Sequence, residues 1–167
     1  MIPESIHTWQ MTEPGRLVKT RVPMPALAPD EVVVKIAGCG VCHTDLSYFY
    51  MGVPTVQKPP LSLGHEISGT VVGGRADMMG REVVVPAVIP CGQCELCQTG
   101  RGNRCLAQKM PGNSMGIYGG FSSHIVADAR FLCPIVSRGD TPLEHLSVVA
   151  DAVTTPYQAA KRANLKT

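Results

Sequence analysis

Cys91-Gly-Gln-Cys94-Glu-Leu-Cys97-Gln-Thr-Gly100-Arg-Gly102-Asn-Arg-Cys105 packs four cysteines into one polar stretch with the spacing C-x2-C-x2-C-x7-C. Apart from the thiols, only Leu96 is strongly apolar, so this segment cannot build an ordinary core and needs another staple. Four thiolates on two-residue spacers match a closed tetrahedral zinc site, because a tight turn can aim successive sulfurs at one metal. Gly92, Gly100 and Gly102 supply the backbone freedom such a turn needs. An iron–sulfur cluster would also take four cysteines. Disulfides are the poorer reading: the chain has seven cysteines, and its N-terminal residues show no export signal. With no position left open for water, the predicted role of Cys91, Cys94, Cys97 and Cys105 is structural.

Around this lobe the pattern is that of a loop-rich β domain. Seventeen Gly and fourteen Pro stand against one Trp, four Tyr and three Phe. Ile6–Gln10, Leu17–Arg21, Val32–Ala37, Ile67–Val72, Glu82–Val88 and Phe121–Ala127 read as short strands, and Gly38–Thr44 as a glycine-cysteine loop. A short helix is expected over Asp45–Met51, and irregular chain over the three prolines of Val53–Pro60. Thr141-Pro142-Leu143-Glu144 predicts a helix capped by Thr141, and a second is expected from Thr155-Pro156 to the chain end. The fold expected is mainly β, barrel-like or sandwich, with short helices and a helical exit.

Composition narrows function. A formal charge of +2 with no Lys/Arg run argues against nucleic acid. The longest strongly apolar stretch, Val83 to Pro90, contains two prolines and is too short to span a bilayer. A cytoplasmic protein is the expectation. Cys39 and Cys133 read as small buried hydrophobes.

A second group of residues gains meaning from a resemblance. Gly38-Cys-Gly-Val-Cys42-His-Thr44-Asp45, then Leu63-Gly-His65-Glu66, then the four-cysteine lobe, then Ala150-Asp151-Ala-Val-Thr-Thr-Pro-Tyr157 resemble, in order and separation, the zinc-dependent medium-chain alcohol dehydrogenases. That likeness implies a GroES-like catalytic domain with two zincs and a Rossmann domain for NAD or NADP. By position it implies Cys42, His65 and Asp151 as ligands of a catalytic zinc, with a carboxylate where many members have cysteine. Glu66 matches the catalytic glutamate beside the metal, which can bind it transiently, and Asp45 the carboxylate that orients the histidine. Thr44 matches the hydroxyl that bonds the substrate alcohol and starts a proton relay, and Ser47 stands where many relatives continue that relay with histidine.

No G-x-G-x-x-G fingerprint occurs: Gly38-Cys-Gly-Val-Cys-His fails at its last position, and Gly116-Ile-Tyr-Gly119-Gly120 has the wrong spacing. Cofactor-binding residues therefore stay unknown. The expected organisation is a zinc-binding catalytic domain over 1–150, with the structural lobe at 90–106, and over 151–167 the connection to a nucleotide-binding domain outside this chain. The isolated 167 residues are expected to bind two zincs without turning over substrate. The full-length protein is expected to be a homo-oligomer.

Two stretches, Ser47 to Pro60 and Gly102 to Gly116, are similar to the 6-hydroxycyclohex-1-ene-1-carbonyl-CoA dehydrogenases of aromatic degradation. The substrate implied is a small alcohol or ketone, here a cyclic alcohol on a CoA thioester. Tyr48, Phe49, Tyr50 and Met51 could line a pocket for the ring or simply pack the short helix. Lys58 and Lys109 could meet CoA phosphates or simply be solvated. The alternative in another class is a non-enzymatic structural zinc module, which one bound zinc would favour over two. Cys39-Gly-Val-Cys42-His43 also spells a haem-attachment pattern, but that chemistry needs export.

Overall fold

A computed structural model describes residues 2–165. The chain opens with a hairpin of β1 (Ser5–Glu13) and β2 (Arg16–Pro23), turned at Gly15. There follow β3 (Glu31–Gly40), α1 (His43–Met51), β4 (Leu61–Ser62), β5 (Glu66–Gly74) and β6 (Glu82–Val85). Next come a one-turn α2 (Glu95–Gln98), β7 (His124–Asp128), β8 (Cys133–Pro134), a 3₁₀ helix Leu143–Ala150 and α3 (Thr154–Arg162). The strands form two antiparallel sheets, ordered β2-β1-β4 and β7-β3-β5-β6-β8. The mainly β expectation holds.

The larger sheet carries the main core. Val32 and Val34 of β3 meet Ile67 and Val71 of β5, Val83 and Val85 of β6, and Ile125 and Ala127 of β7. β-branched side chains suit this pleated, enclosed surface, and each fully buried one contributes about 1.5–3 kcal/mol. A smaller cluster of Met11, Tyr48, Leu61 and Leu63, flanked by Phe49 and Phe121, seats α1 on the smaller sheet. The seam between sheets is polar: Thr8 Oγ1 lies 2.8 Å from the hydroxyls of both Ser62 and Ser122, where an isolated Thr8–Ser122 bridge joins β1 to the returning chain.

Several boundaries differ from the sequence expectation. β3 continues through Gly40, because Gly38, Cys39 and Gly40 still pair with Ser68, Ile67 and Glu66 of β5. α1 starts at His43, since the Asp45 carboxylate at its third position accepts the Cys42 N–H at 3.0 Å. β6 ends at Val85, before Pro86, which has no N–H for the ladder. β7 is confined to His124–Asp128, because 120–121 pair instead with Leu63 and Gly64.

The segment after Pro142 is a 3₁₀ helix without a side-chain cap from Thr141; its Leu143 carbonyl accepts the Ser68 hydroxyl at 2.7 Å. Packing on β5 has replaced the local capping predicted for it. α3 ends at Arg162, short of the predicted run to the chain end, and residues 166–167 lie outside the described residues. Cys133 is exposed on the edge strand β8, which corrects its reading as buried. Val53–Pro60 is irregular as expected. Among the described residues no helix is long and apolar enough to cross a membrane.

Candidate metal centres

The four cysteines of the lobe converge. Cys94 Sγ lies 3.4 Å from Cys97 Sγ and 3.9 Å from Cys105 Sγ, and Cys91 Sγ lies 3.8 Å from Cys97 Sγ. A tetrahedron with Zn–S bonds of ~2.3 Å has S···S edges of ~3.8 Å, whereas a disulfide would need ~2.05 Å. The thiols thus stand at metal spacing, with all four sulfurs within 4.8 Å of one another. α2 begins directly after Cys94, and its single turn carries Cys97 back toward the other three. Gly92 adopts φ 76, and a Cβ there would press to 2.9 Å from the Phe131 ring. Backbone N–H groups of Gln93 and Cys94 draw the Cys91 thiol down to about 6, while desolvation pushes Cys97 up to about 12.

The second cluster assembles from three distant stretches. His65 Nε2 lies 3.5 Å from Asp151 Oδ2, and Cys42 Sγ lies 4.0 Å from the same oxygen. The three donor atoms fall within 4.8 Å of one another. His65 is 1 % exposed, and neither ring nitrogen has a hydrogen-bond partner. A buried imidazole left this way is costly unless something binds it. A thiol, an imidazole and a carboxylate around one point are a donor set suited to zinc with a position open. The fit is with the residues actually present.

Local structure explains how each is delivered. Cys42 sits at the entry to α1, and His65 sits between Gly64 and the first residue of β5. Gly64 adopts φ 90 in close contact with Phe121, where a Cβ would approach ring carbon Cδ1 to 2.6 Å. Only glycine makes that turn readily. Asp45, 2 % exposed, ties the two loops together: Oδ2 accepts the Cys42 N–H at 3.0 Å, and Oδ1 accepts the Gly64 N–H at 2.9 Å. Asp45 Oδ1 also lies 3.6 Å from His65 Nδ1. Burial opposes a charged His65 ring, but Asp45, and secondarily Cys42, outweigh it and raise the pKa to about 9.

Asp151 follows the 3₁₀ helix, and its Oδ1 accepts the Thr155 hydroxyl. Thr44 Oγ1 lies 3.6 Å from Cys42 Sγ. Glu66 is 3 % exposed and accepts the Ala152 N–H on Oε1 at 2.8 Å. Ser47 donates to the His43 carbonyl of its own helix at 3.0 Å. Burial pushes the Cys39 thiol up to about 12, in keeping with an inert packing residue.

Of the residues singled out for a substrate pocket, Tyr48 is buried in the smaller core with its hydroxyl accepting from Asn113 at 2.6 Å, and Phe49 packs beside it. Tyr50 and Met51 are exposed. Asn113 drew no notice in the sequence. It also accepts the Val56 N–H at 3.0 Å, so it fastens the proline-rich loop to α1.

Comparison with known proteins identifies the family. The alcohol dehydrogenase GroES-like domain matches residues 28–137. The chain belongs to that family. An alcohol dehydrogenase of Geobacillus stearothermophilus is 38% identical over 145 residues, covering 84% of this chain and 42% of that protein. An uncharacterised zinc-type alcohol dehydrogenase-like protein of Haemophilus influenzae is 30% identical over 168 residues, covering 98% of this chain and 47% of that protein. Among solved structures, acetophenone reductase from Geotrichum candidum in complex with NAD superposes with a TM-score of 0.85 at 31% identity, covering 99% of this chain and 50% of that one. The chain spans about half the length of the relatives it matches.

Proposed function

We propose that this GroES-like domain is the catalytic part of a zinc-dependent alcohol dehydrogenase that oxidises a secondary alcohol with hydride transfer to NAD or NADP. The observation that carries the reading is the convergence of the donor atoms of Cys42, His65 and Asp151 within 4.8 Å of one another, with neither nitrogen of the buried imidazole in a hydrogen bond. In this reading those three hold a catalytic zinc, and Cys91, Cys94, Cys97 and Cys105 hold a second, structural one. Bound among Cys42, His65 and Asp151, zinc supplies Lewis acidity toward an alcohol or carbonyl oxygen. Thr44, at the mouth of α1 beside Cys42, would accept a hydrogen bond from the alcohol and, as that proton transfers, release its own hydroxyl proton outward. Asp45 holds the His65 ring and the Cys42 turn in register. Ser47 is engaged with its own helix, so the proton leaves Thr44 by solvent and not along the helix face.

The domain reading is a catalytic unit over 1–150 and a connection over 151–167 to a nucleotide-binding part elsewhere in the protein. The half-length match to relatives supports it. Seven unpaired cysteines support a cytoplasmic setting, where thiols stay reduced. For the substrate, a cyclic alcohol on a CoA thioester is the finer proposal. Its support is the similarity of the Ser47–Pro60 and Gly102–Gly116 stretches, with Lys58 and Lys109 exposed to meet phosphate.

The test is metal stoichiometry with variants. The purified protein is expected to hold two zincs per chain. Cys97→Ser and His65→Ala should each lose a different one, and in the protein that carries the nucleotide-binding part His65→Ala should abolish alcohol oxidation while leaving the lobe loaded. A single zinc in the parent protein, lost in Cys97→Ser and retained in His65→Ala, would establish the structural-module alternative instead.

A further inference from the structure

The loop between α1 and β4 hangs on one residue. Pro54, Pro59 and Pro60 have no N–H to give, and the Thr55 hydroxyl donates only within the loop, to the Gln57 carbonyl. Among the described residues, every hydrogen bond that leaves 54–60 for the rest of the chain ends on Asn113. Its Oδ1 accepts the Val56 N–H at 3.0 Å, and its carbonyl accepts the Gln57 N–H at 3.1 Å. Its Nδ2 donates to the Tyr48 hydroxyl at 2.6 Å. Tyr48 is 8 % exposed and set in the smaller core, so Asn113 refers the loop to α1 through a fixed side chain.

Asn113 is itself anchored. Its N–H donates to the Met110 carbonyl at 3.2 Å. The preceding Gly112, at φ 79, packs on the backbone of Leu63 and Gly64, where a Cβ would stand 2.8 Å from the Gly64 nitrogen. Loop 54–60 thus borrows its order from a segment more than fifty residues away.

Position gives the loop a role. Thr44 and the capping Gly52 lie eight residues apart along α1, about 12 Å at ~1.5 Å per residue. The loop therefore begins well beyond the hydroxyl that Thr44 would meet. Leu46, Tyr50, Met51, Val53 and Val56 are all exposed along this stretch, an apolar surface suited to the part of an alcohol remote from its oxygen. The turns that deliver Cys42 and His65 are tied to each other by Asp45 and make no hydrogen bond to Asn113.

We infer, taking the site of the proposed function as given, that Asn113 is a positioning residue for the substrate: it holds loop 54–60 against α1 so that the loop meets the carbon chain of the alcohol, and it leaves the zinc ligands alone. A released loop must be ordered again on binding, which weakens ground and transition state alike and raises KM with kcat unchanged. Aspartate keeps both side-chain contacts, one oxygen accepting the Val56 N–H and the other the Tyr48 O–H; alanine keeps neither.

The experiment follows hydrogen exchange of the Val56 and Gln57 amides in zinc-loaded protein, zinc affinity against a chelator, and, in the protein that carries the nucleotide-binding part, KM and kcat for 2-octanol and 2-propanol. Parent, Asn113→Ala, Asn113→Asp and Tyr48→Phe are compared. In Asn113→Ala both amides should exchange about tenfold faster or more, Gln57 included, although its acceptor is a backbone carbonyl that the substitution keeps. KM for 2-octanol should rise about three- to tenfold, with kcat, the 2-propanol KM and zinc affinity within about twofold of parent. Tyr48→Phe should move the same readouts less far, and Asn113→Asp should return them to parent values. A parent that holds one zinc or oxidises no alcohol refutes the proposed function, and Gln57 exchange then decides the anchor alone. Parent-like Gln57 exchange in Asn113→Ala overturns the inference. So does an equal rise in KM for both alcohols, or a loss of kcat or zinc affinity as large as the rise in KM.

Discussion

Asp45→Ala removes an acceptor that joins two loops, and its cost can be worked from the contacts. The Cys42 and Gly64 N–H groups donate to the two oxygens of a carboxylate that is 2 % exposed. Each buried donor left without a partner costs about 1–3 kcal/mol, so alanine should cost about 2–6 kcal/mol in metal-free protein. Asparagine can satisfy one of the two donors but turns an N–H₂ toward the other, which places it near the lower half of that range. Domains of this size have roughly 5–15 kcal/mol of stability, so alanine endangers the fold and asparagine does not. Urea unfolding with zinc chelated reads the effect; with m near ~2 kcal/mol/M, the midpoint should fall by about 1–3 M in alanine. An alanine variant whose midpoint lies within ~0.3 M of the parent, at unchanged m, would refute the claim that Asp45 carries both loops.

Two further outcomes follow from the geometry. In metal-free protein the pKa of His65 stands near 9 in the folded state against 6.5 for the free side chain, so its stabilising contribution is complete below pH 6.5 and is lost as pH rises through 9. The urea midpoint of the parent relative to His65→Gln should narrow over that window, and a constant difference from pH 6 to 10 would contradict it. Gly69→Ala would drive a Cβ to 2.2 Å from the Lys35 carbonyl and 2.7 Å from Val34; overpacking of about 1–3 kcal/mol should lower Tm by about 2–12 °C, measured by thermal denaturation, while an unchanged Tm would show that β3 and β5 can separate at no cost.

The strands of the larger sheet were legible because their β-branched runs have few other places to go: Val32, Val33 and Val34 are all fully buried. Edges were less legible. Gly38–Gly40 read as loop because glycine and cysteine carry no strand signal, yet they extend β3 by pairing with β5. The capping pattern at Thr141 pointed to a local helix start, and packing of Leu143 on Ser68 set the segment's course instead. Cys133 looked like a packing residue by type, but a two-residue edge strand has little to cover it.

The sequence by itself determined the cysteine lobe, since four thiols within one short stretch can reach a common centre by turns alone, and it determined a β architecture through its periodicity and punctuation. The second centre was named in the sequence only by resemblance, and the tertiary structure is what brings its residues together. Cys42, His65 and Asp151 are separated by up to 109 residues; Asp45 accepts from two of their loops and Glu66 from the third. Spacing along a chain fixes distances over a few residues; beyond that, side chains meet because sheets pair and buried polar groups find partners.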